Sequence, residues 1–217
     1  MVAEGVFTTG SMTSYCTAGE VMKVLAGYDL SAFGAEAELL TRVRELLPLT
    51  KGMVDTCAGR DFGWHGDETV WLDGTGTDCV DLAEASVAPP VVVREVQVDG
   101  QTVAATQYRA YAQTGLVRLK PRSAPATFAA GLQNVAVALD WGYEATPADI
   151  ALAQAKLTAG ELLAELGGEG GAVQETRIGD YAVRYAAGGR YAEAVARLCQ
   201  EAELMIRRYR RVRIVAV

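Results

Sequence analysis

Histidine is almost absent from this 217-residue chain, and the absence excludes much. His65 is the single imidazole, so a Ser-His-Asp triad has one candidate base, and no G-x-S-x-G turn presents a serine to it. A zinc site takes three or four ligands. Around His65 the run Gly63-Trp64-His65-Gly66-Asp67-Glu68 offers only Asp67 and Glu68, and His65 reads as an exposed loop residue. Cysteine is sparse as well. Cys16, Cys57, Cys79 and Cys199 share no C-x-x-C spacing and read as buried, reduced thiols. No stretch reaches about 18 consecutive apolar residues, which excludes a membrane-spanning helix. The opening MVAEGVFTTGSM lacks the basic region and apolar run of a secretory signal. Gly74-Thr75-Gly76-Thr77-Asp78-Cys79 has no G-K-[ST] and precedes a strand pattern, so it reads as a turn and not a phosphate loop. Asp73 and Asp78 lie outside any twelve-residue calcium-loop pattern. The expectation is therefore a protein with no catalytic residues, no metal and no cofactor, whose work is interaction.

What is present is globular in kind. Hydrophobic residues make up 50% and charged residues 22%. A chain of this size buries roughly 70% of its unfolded surface, enough for a core without staples. Charge is unevenly spread. The net charge is -7, yet residues 207–217 (RRYRRVRIVAV) hold five arginines and no acid, which leaves residues 1–206 at -12. Such an acidic body repels phosphates and argues against broad wrapping of nucleic acid. The arginines of the tail suit phosphates or an acidic protein surface, or simply the negative end of a helix. The ending Ile214-Val215-Ala216-Val217 is β-branched and suits addition of a strand to a partner's sheet.

Along the chain, residues 1–14 are small and polar and read as a flexible arm. Thr17, with Glu20 three residues on, predicts a capping box opening a short helix through Leu25. A second helix is predicted from about Ala35 to Cys57, closed by Gly59 and kinked or split at Pro48. From Asp67 to Gly142 the apolar period changes to two. Strands are predicted at 69–72, 91–98, 101–105, 108–113, 116–120 and 134–141, with Asp99-Gly100 a two-residue hairpin signal. Trp71 and Trp141, both on strand patterns, are expected in the core, while Trp64, Tyr108 and Tyr111 lie in or beside the same region. Thr146-Pro147 predicts a helix start with threonine as cap and proline in the first turn, and Asp149 favours that N-terminus. Residues 175–186 read as an extended segment. A last helix is predicted from Tyr191 to about Arg208, with the stripe Tyr191, Val195, Leu198, Ala202, Ile206 and Tyr209; some 18 residues make a rod of about 27 Å. The fold class expected is α+β: a helical bundle built from both ends of the chain (15–62 and 143–209), an inserted antiparallel β barrel or sandwich (63–142), and a basic, apolar-ended tail (210–217).

Four stretches, in order, are similar to the head-tail connector proteins of tailed bacteriophages, of the adaptor class that docks below the portal. They are Cys57-Ala58-Gly59-Arg60-Asp61-Phe62; Glu68-Thr-Val-Trp-Leu-Asp73-Gly74-Thr-Gly76 with Asp81-Leu82 and Pro90 to Gly100; Asn134-Val-Ala-Val with Gly142-Tyr143 and Thr146-Pro147-Ala148-Asp149-Ile150; and Glu175-Thr-Arg-Ile178-Gly179-Asp180-Tyr181-Ala-Val183. Together they span most of residues 15–210. The resemblance implies a structural virion protein of the neck, made in the host cytoplasm, that assembles as a dodecameric ring around the DNA channel. Its implied partners are the portal protein above, a stopper or tail-completion protein below, other copies of itself, and viral DNA that passes without specific binding; no membrane is involved. It further implies that the C-terminal part reaches the portal, which maps here to Arg207, Arg208, Arg210, Arg211, Arg213, Ile214 and Val215. Other readings are a different neck ring (a stopper or tail terminator), a carbohydrate-binding or hydrolytic module built on the β region, and a regulatory protein whose basic tail binds nucleic acid.

Overall fold

A computed structural model describes residues 13–122, 125–167 and 189–210, together with the backbone of 173–178 and 181–186. The fold is α+β. It divides into two compact units: Gly63–Ala145, and a second unit made from the chain on either side of it.

The flanking unit is helical. Helix α1 (Ala18–Leu25) opens with the expected capping box: the Thr17 hydroxyl accepts from Glu20 N and the Glu20 carboxylate accepts from Thr17 N. Helix α2 (Glu36–Ala58) ends at Gly59 in the left-handed conformation. It runs unbroken through Pro48, against the expected split. Pro48 faces solvent, so the Arg44 carbonyl it deprives of a partner is on the wet side. Leu46, Leu47 and Thr50, buried on the opposite side, hold the helix to the core across that point. Helix α3 (Ala148–Leu166) packs against α1, α2 and α4 (Ala192–Arg207). It begins one residue later than expected. Pro147 occupies the cap position with extended backbone (φ -55, ψ 134), so Thr146 stands outside the helix, and its buried hydroxyl has no hydrogen-bond partner. Residues 175–186 form not one extended run but two antiparallel strands, β8 (Val173–Ile178) and β9 (Tyr181–Ala186), paired from Ile178↔Tyr181 outward and set against α3 and α4.

The core of this unit is threaded by a network of partnered polar groups centred on Gln154. Gln154 is fully buried. Its Oε1 accepts from Tyr15 N (2.6 Å), Cys16 N (3.0 Å) and Ser14 Oγ (3.2 Å), and its Nε2 donates to Leu47 O (2.7 Å). Thr50 and Thr158, also fully buried, share a hydroxyl bond of 2.8 Å. One side chain on α3 thus ties residues 14–16 to α2.

The unit Gly63–Ala145 is all β apart from one 3-10 turn, Leu82–Ala85. Strands β1 (His65–Gly74), β7 (Gly131–Trp141), β3 (Val91–Val98) and β4 (Gln101–Val103) form one antiparallel sheet in the order β1-β7-β3-β4. Strands β2 (Cys79–Asp81), β6 (Leu116–Leu119) and β5 (Tyr108–Tyr111) form a second. Of the two forms expected, the sandwich is the compatible one; no closed barrel forms among the described residues. The core between the sheets is apolar, with Val96, Val117, Phe128, Val135, Val137 and Leu139 fully buried. Alternation puts Val135, Val137, Leu139 and Trp141 on the inner face together, as expected. Asp99 (φ 49) and Gly100 (φ 75) make the β3–β4 hairpin with both central residues at positive φ, the turn whose twist matches the strands. At Gly142 (φ 87) a Cβ would lie 1.8 Å from the Gly63 carbonyl, so the two ends of the unit close only around glycine.

Candidate docking surface

The amphipathic pattern of α4 sends Val195, Leu198, Cys199, Ala202 and Ile206 into the core. Its end is fixed by Tyr209. The phenol donates to Asp149 Oδ1 at 2.7 Å, and the ring meets Phe62 edge-to-face at 5.3 Å. Asp149 therefore does more than favour a helix start; it anchors the last described turn to the first turn of α3. Beyond that anchor the basic residues part company. Arg207 is held by Glu203 one turn back, at 2.7 and 3.1 Å. Arg208 and Arg210 are exposed and have no carboxylate partner among the described residues. Arg211, Arg213, Ile214 and Val215 lie outside the described residues. Of the seven expected docking residues, then, two stand as unpaired cations at the surface and one is spent on its own helix.

The start of the chain is fastened by a second polar group. Tyr15 donates to Asp55 Oδ1 (2.5 Å) and accepts from Phe62 N (2.9 Å). Lys51 donates to Asp55 (2.6 Å) and Asp61 (3.1 Å) and lies over the Tyr15 ring. Burial pulls the Lys51 ammonium down, but its bonds to Asp55 and Tyr15 outweigh that and hold it above its ordinary value, so it stays charged. Burial, then the bond to Asp55, raises the Tyr15 phenol, so it stays protonated. This is a structural clamp, since every charge is met.

The groups weighed for chemistry are placed as follows. His65 is not an exposed loop residue; it opens β1, half-buried and stacked flat on Trp141 at 3.7 Å. Glu68 bridges the pair, accepting from Trp141 Nε1 at 2.7 Å and lying 3.3 Å from His65 Nδ1. Asp67 meets Arg94, which also grips Asp140 at 2.5 Å. Among the described residues no three His, Cys, Asp or Glu side chains gather as metal ligands. Asp78 pairs with Arg118 at 2.7 Å, while Asp73 accepts from Gln133 N. All four cysteines are free; burial pushes Cys16 up to about 11 and Cys199 up to about 12, which keeps both as thiols. Among the described residues no helix is long and apolar enough to cross a membrane.

A second expectation is overturned at Trp71. Trp141 is buried, but Trp71 is 56% exposed. Along β1 it alternates with Leu72, and Leu72 takes the inner face. Trp71 therefore stands on the outer face of the four-stranded sheet, in register with Ala136, and Leu132 and Val92 are exposed on the same unit. A cleft beside Tyr28, Arg190, Tyr191 and Arg197 was also passed over. It has no local signal, because Arg190 lies before α4 and Tyr28 comes from the turn after α1.

No family model matches the chain, and no curated protein does. A chain from the solved neck of an empty GTA particle, computed with C6 symmetry, is similar over 97% of this chain and 96% of its own length, at 17% identity and a TM-score of 0.48. The likeness is slight.

Proposed function

We propose that the protein is a structural component of a tailed-phage neck: a head-tail adaptor that forms a ring of its own copies, joins the portal protein to a stopper or tail-completion protein, and lines the passage for DNA. The observation that carries the reading is the order of the four sequence stretches resembling that family, running from Cys57 to Val183. Their positions on the fold support it: the first closes α2, the next two hold β1, β3, β7 and the start of α3, and the fourth is the β8–β9 pair before α4. A body carrying -12 suits a conduit, because repelled DNA slides instead of sticking. The role is structural, with no catalysis, metal or cofactor, and the place is the virion neck after synthesis in the host cytoplasm. Docking on the portal falls to the C-terminal residues Arg207 to Val215, the arginines meeting portal carboxylates and the apolar end adding a strand.

Deleting 210–217 tests this, because it spares the Tyr209 anchor. The truncated chain should keep its melting temperature and fail to co-sediment with portal rings. Docking at wild-type strength overturns the tail's role. A second reading, carbohydrate binding by the β unit, is favoured by exposed Trp71 alone; glycan binding abolished by Trp71→Ala is the result that would establish it.

A further inference from the structure

Strand β1 (His65–Gly74) ends the four-stranded sheet, with β7 on one side of it. From Glu68 to Asp73, no backbone hydrogen bond reaches its other side among the described residues. Every second residue of an edge strand turns an N–H and a C=O outward, so this side is a template for one more strand. β1 is ten residues long and has neither proline nor lysine to blunt it. Beside the open edge Trp71 is exposed, and Val70, although packed against the core, is only partly buried. The same chain supplies a segment of the right chemistry. Residues 1–12 lie outside the described residues. Among them Val6-Phe7-Thr8-Thr9 is a run of strand-forming residues between Gly5 and Gly10. The root of that segment is fixed close to the start of β1. Residues 14–16 are held by Gln154, and the Tyr15 hydroxyl accepts from Phe62 N at 2.9 Å, three residues before His65.

We infer that the chain's own residues 1–12 add to the open side of β1 as a fifth, antiparallel strand, with Val6-Phe7-Thr8-Thr9 beside Trp71. Direction follows from the root. The arm runs toward Tyr15 and β1 runs away from Phe62, and these two residues touch, so the segments are antiparallel. Reach follows from length. Fully extended, twelve residues span about 40 Å, and the ten of β1 span about 33 Å. Counting equal steps outward from the Tyr15–Phe62 contact sets Thr9 opposite Glu68 and Val6 opposite Trp71. Val6 then lies beside Trp71 on the outer face, and Phe7 beside Val70 on the inner one. Tethering favours this arm over any other strand, because pairing within one chain proceeds at high effective concentration.

The test is hydrogen exchange, read by mass spectrometry, on the full chain and two variants. One lacks residues 2–11. The other carries Phe7→Pro and Thr8→Pro together, which removes two adjacent N–H donors, one of which faces β1 in any register. Both leave residues 14–16 and their ties to Gln154 in place. Amides of 66–73 should exchange about tenfold faster in each variant, while those of 91–98, inside the sheet, keep their rates. Unchanged exchange in 66–73 overturns the proposal. Equal acceleration in 91–98 overturns it too, since that is a general loss of stability. In the unaltered chain the protection should survive about a hundredfold dilution; protection lost on dilution assigns the edge to a second copy's arm and overturns pairing within the chain. Acceleration of the same amides on deleting 210–217, with the arm intact, assigns the edge to the C-terminal tail and overturns it as well.

Discussion

The two units of the molecule are held together by different physics. In Gly63–Ala145 the core between the sheets is purely apolar, and polar ties sit at its margins: Arg94 on Asp140, Glu68 on Trp141, Asn134 on Gly74 N. In the helical unit the polar ties run through the middle. Gln154, Thr50 and Thr158 are fully buried, and Gln154 joins residues 14–16 to α2 across about 140 positions of sequence. The difference follows from connectivity. A β unit made of one continuous stretch gets its register from alternation and local turns. A helical unit made from both chain ends has no local turn to align them, and helices slide unless something specific pins them. A fully satisfied buried network does the pinning, at the risk that losing one partner strands the rest.

The sharpest way to break the comparison is to damage each core in kind. Phe128→Ala, in the dry core, should cost about 3–5 kcal/mol by lost burial and cavity, read by urea unfolding. Gln154→Leu keeps volume and adds apolar area, yet should cost about 2 kcal/mol because Tyr15 N loses its acceptor, while Cys16 N keeps Ser14 Oγ and Leu47 O keeps Thr50 Oγ1. A loss under about 1 kcal/mol would show the network to be incidental. Thr17→Ala removes one cap bond of α1 and should cost about 1 kcal/mol in the same measurement. The smallest effect is one of pH. Burial on α3, then Glu165, raises the Glu161 carboxyl above its ordinary value. The folded state therefore binds more protons than the unfolded state between the ordinary carboxylate range and the raised value, and stability falls as pH climbs through that window. Glu161→Gln should raise the melting temperature slightly at pH 7, and the gain should vanish below the ordinary carboxylate range. An equal gain at both pH values would contradict this.

Much of the fold was legible because its signals are local. The Thr17/Glu20 box, Gly59 after α2 and Asp99-Gly100 each specify a conformation within four residues. The failures are places where tertiary context decides. Periodicity says that Trp71 and Leu72 face opposite ways, not which of them faces the core. Pro48 breaks a helix in isolation, but burial on both sides of it holds α2 continuous. The break between β8 and β9 was missed although Gly179-Asp180 is a hairpin signal between Ile178 and Tyr181. Gln154 had a signal too: it lies on the apolar run of α3, four residues from both Ile150 and Thr158. What it holds was not readable, because its partners are over a hundred residues away. Of the candidate docking surface, the basic tail was legible as charge; Tyr209 as its anchor was not, and the capture of Arg207 by Glu203 was missed although their four-residue spacing signals it.

The most direct measurement is quantitative mass spectrometry of purified tailed particles that carry this gene, scaled to the portal protein. A neck adaptor predicts this chain in every particle, in the fixed ratio to the portal that matched rings require. Particles complete in head and tail but lacking the chain would contradict it.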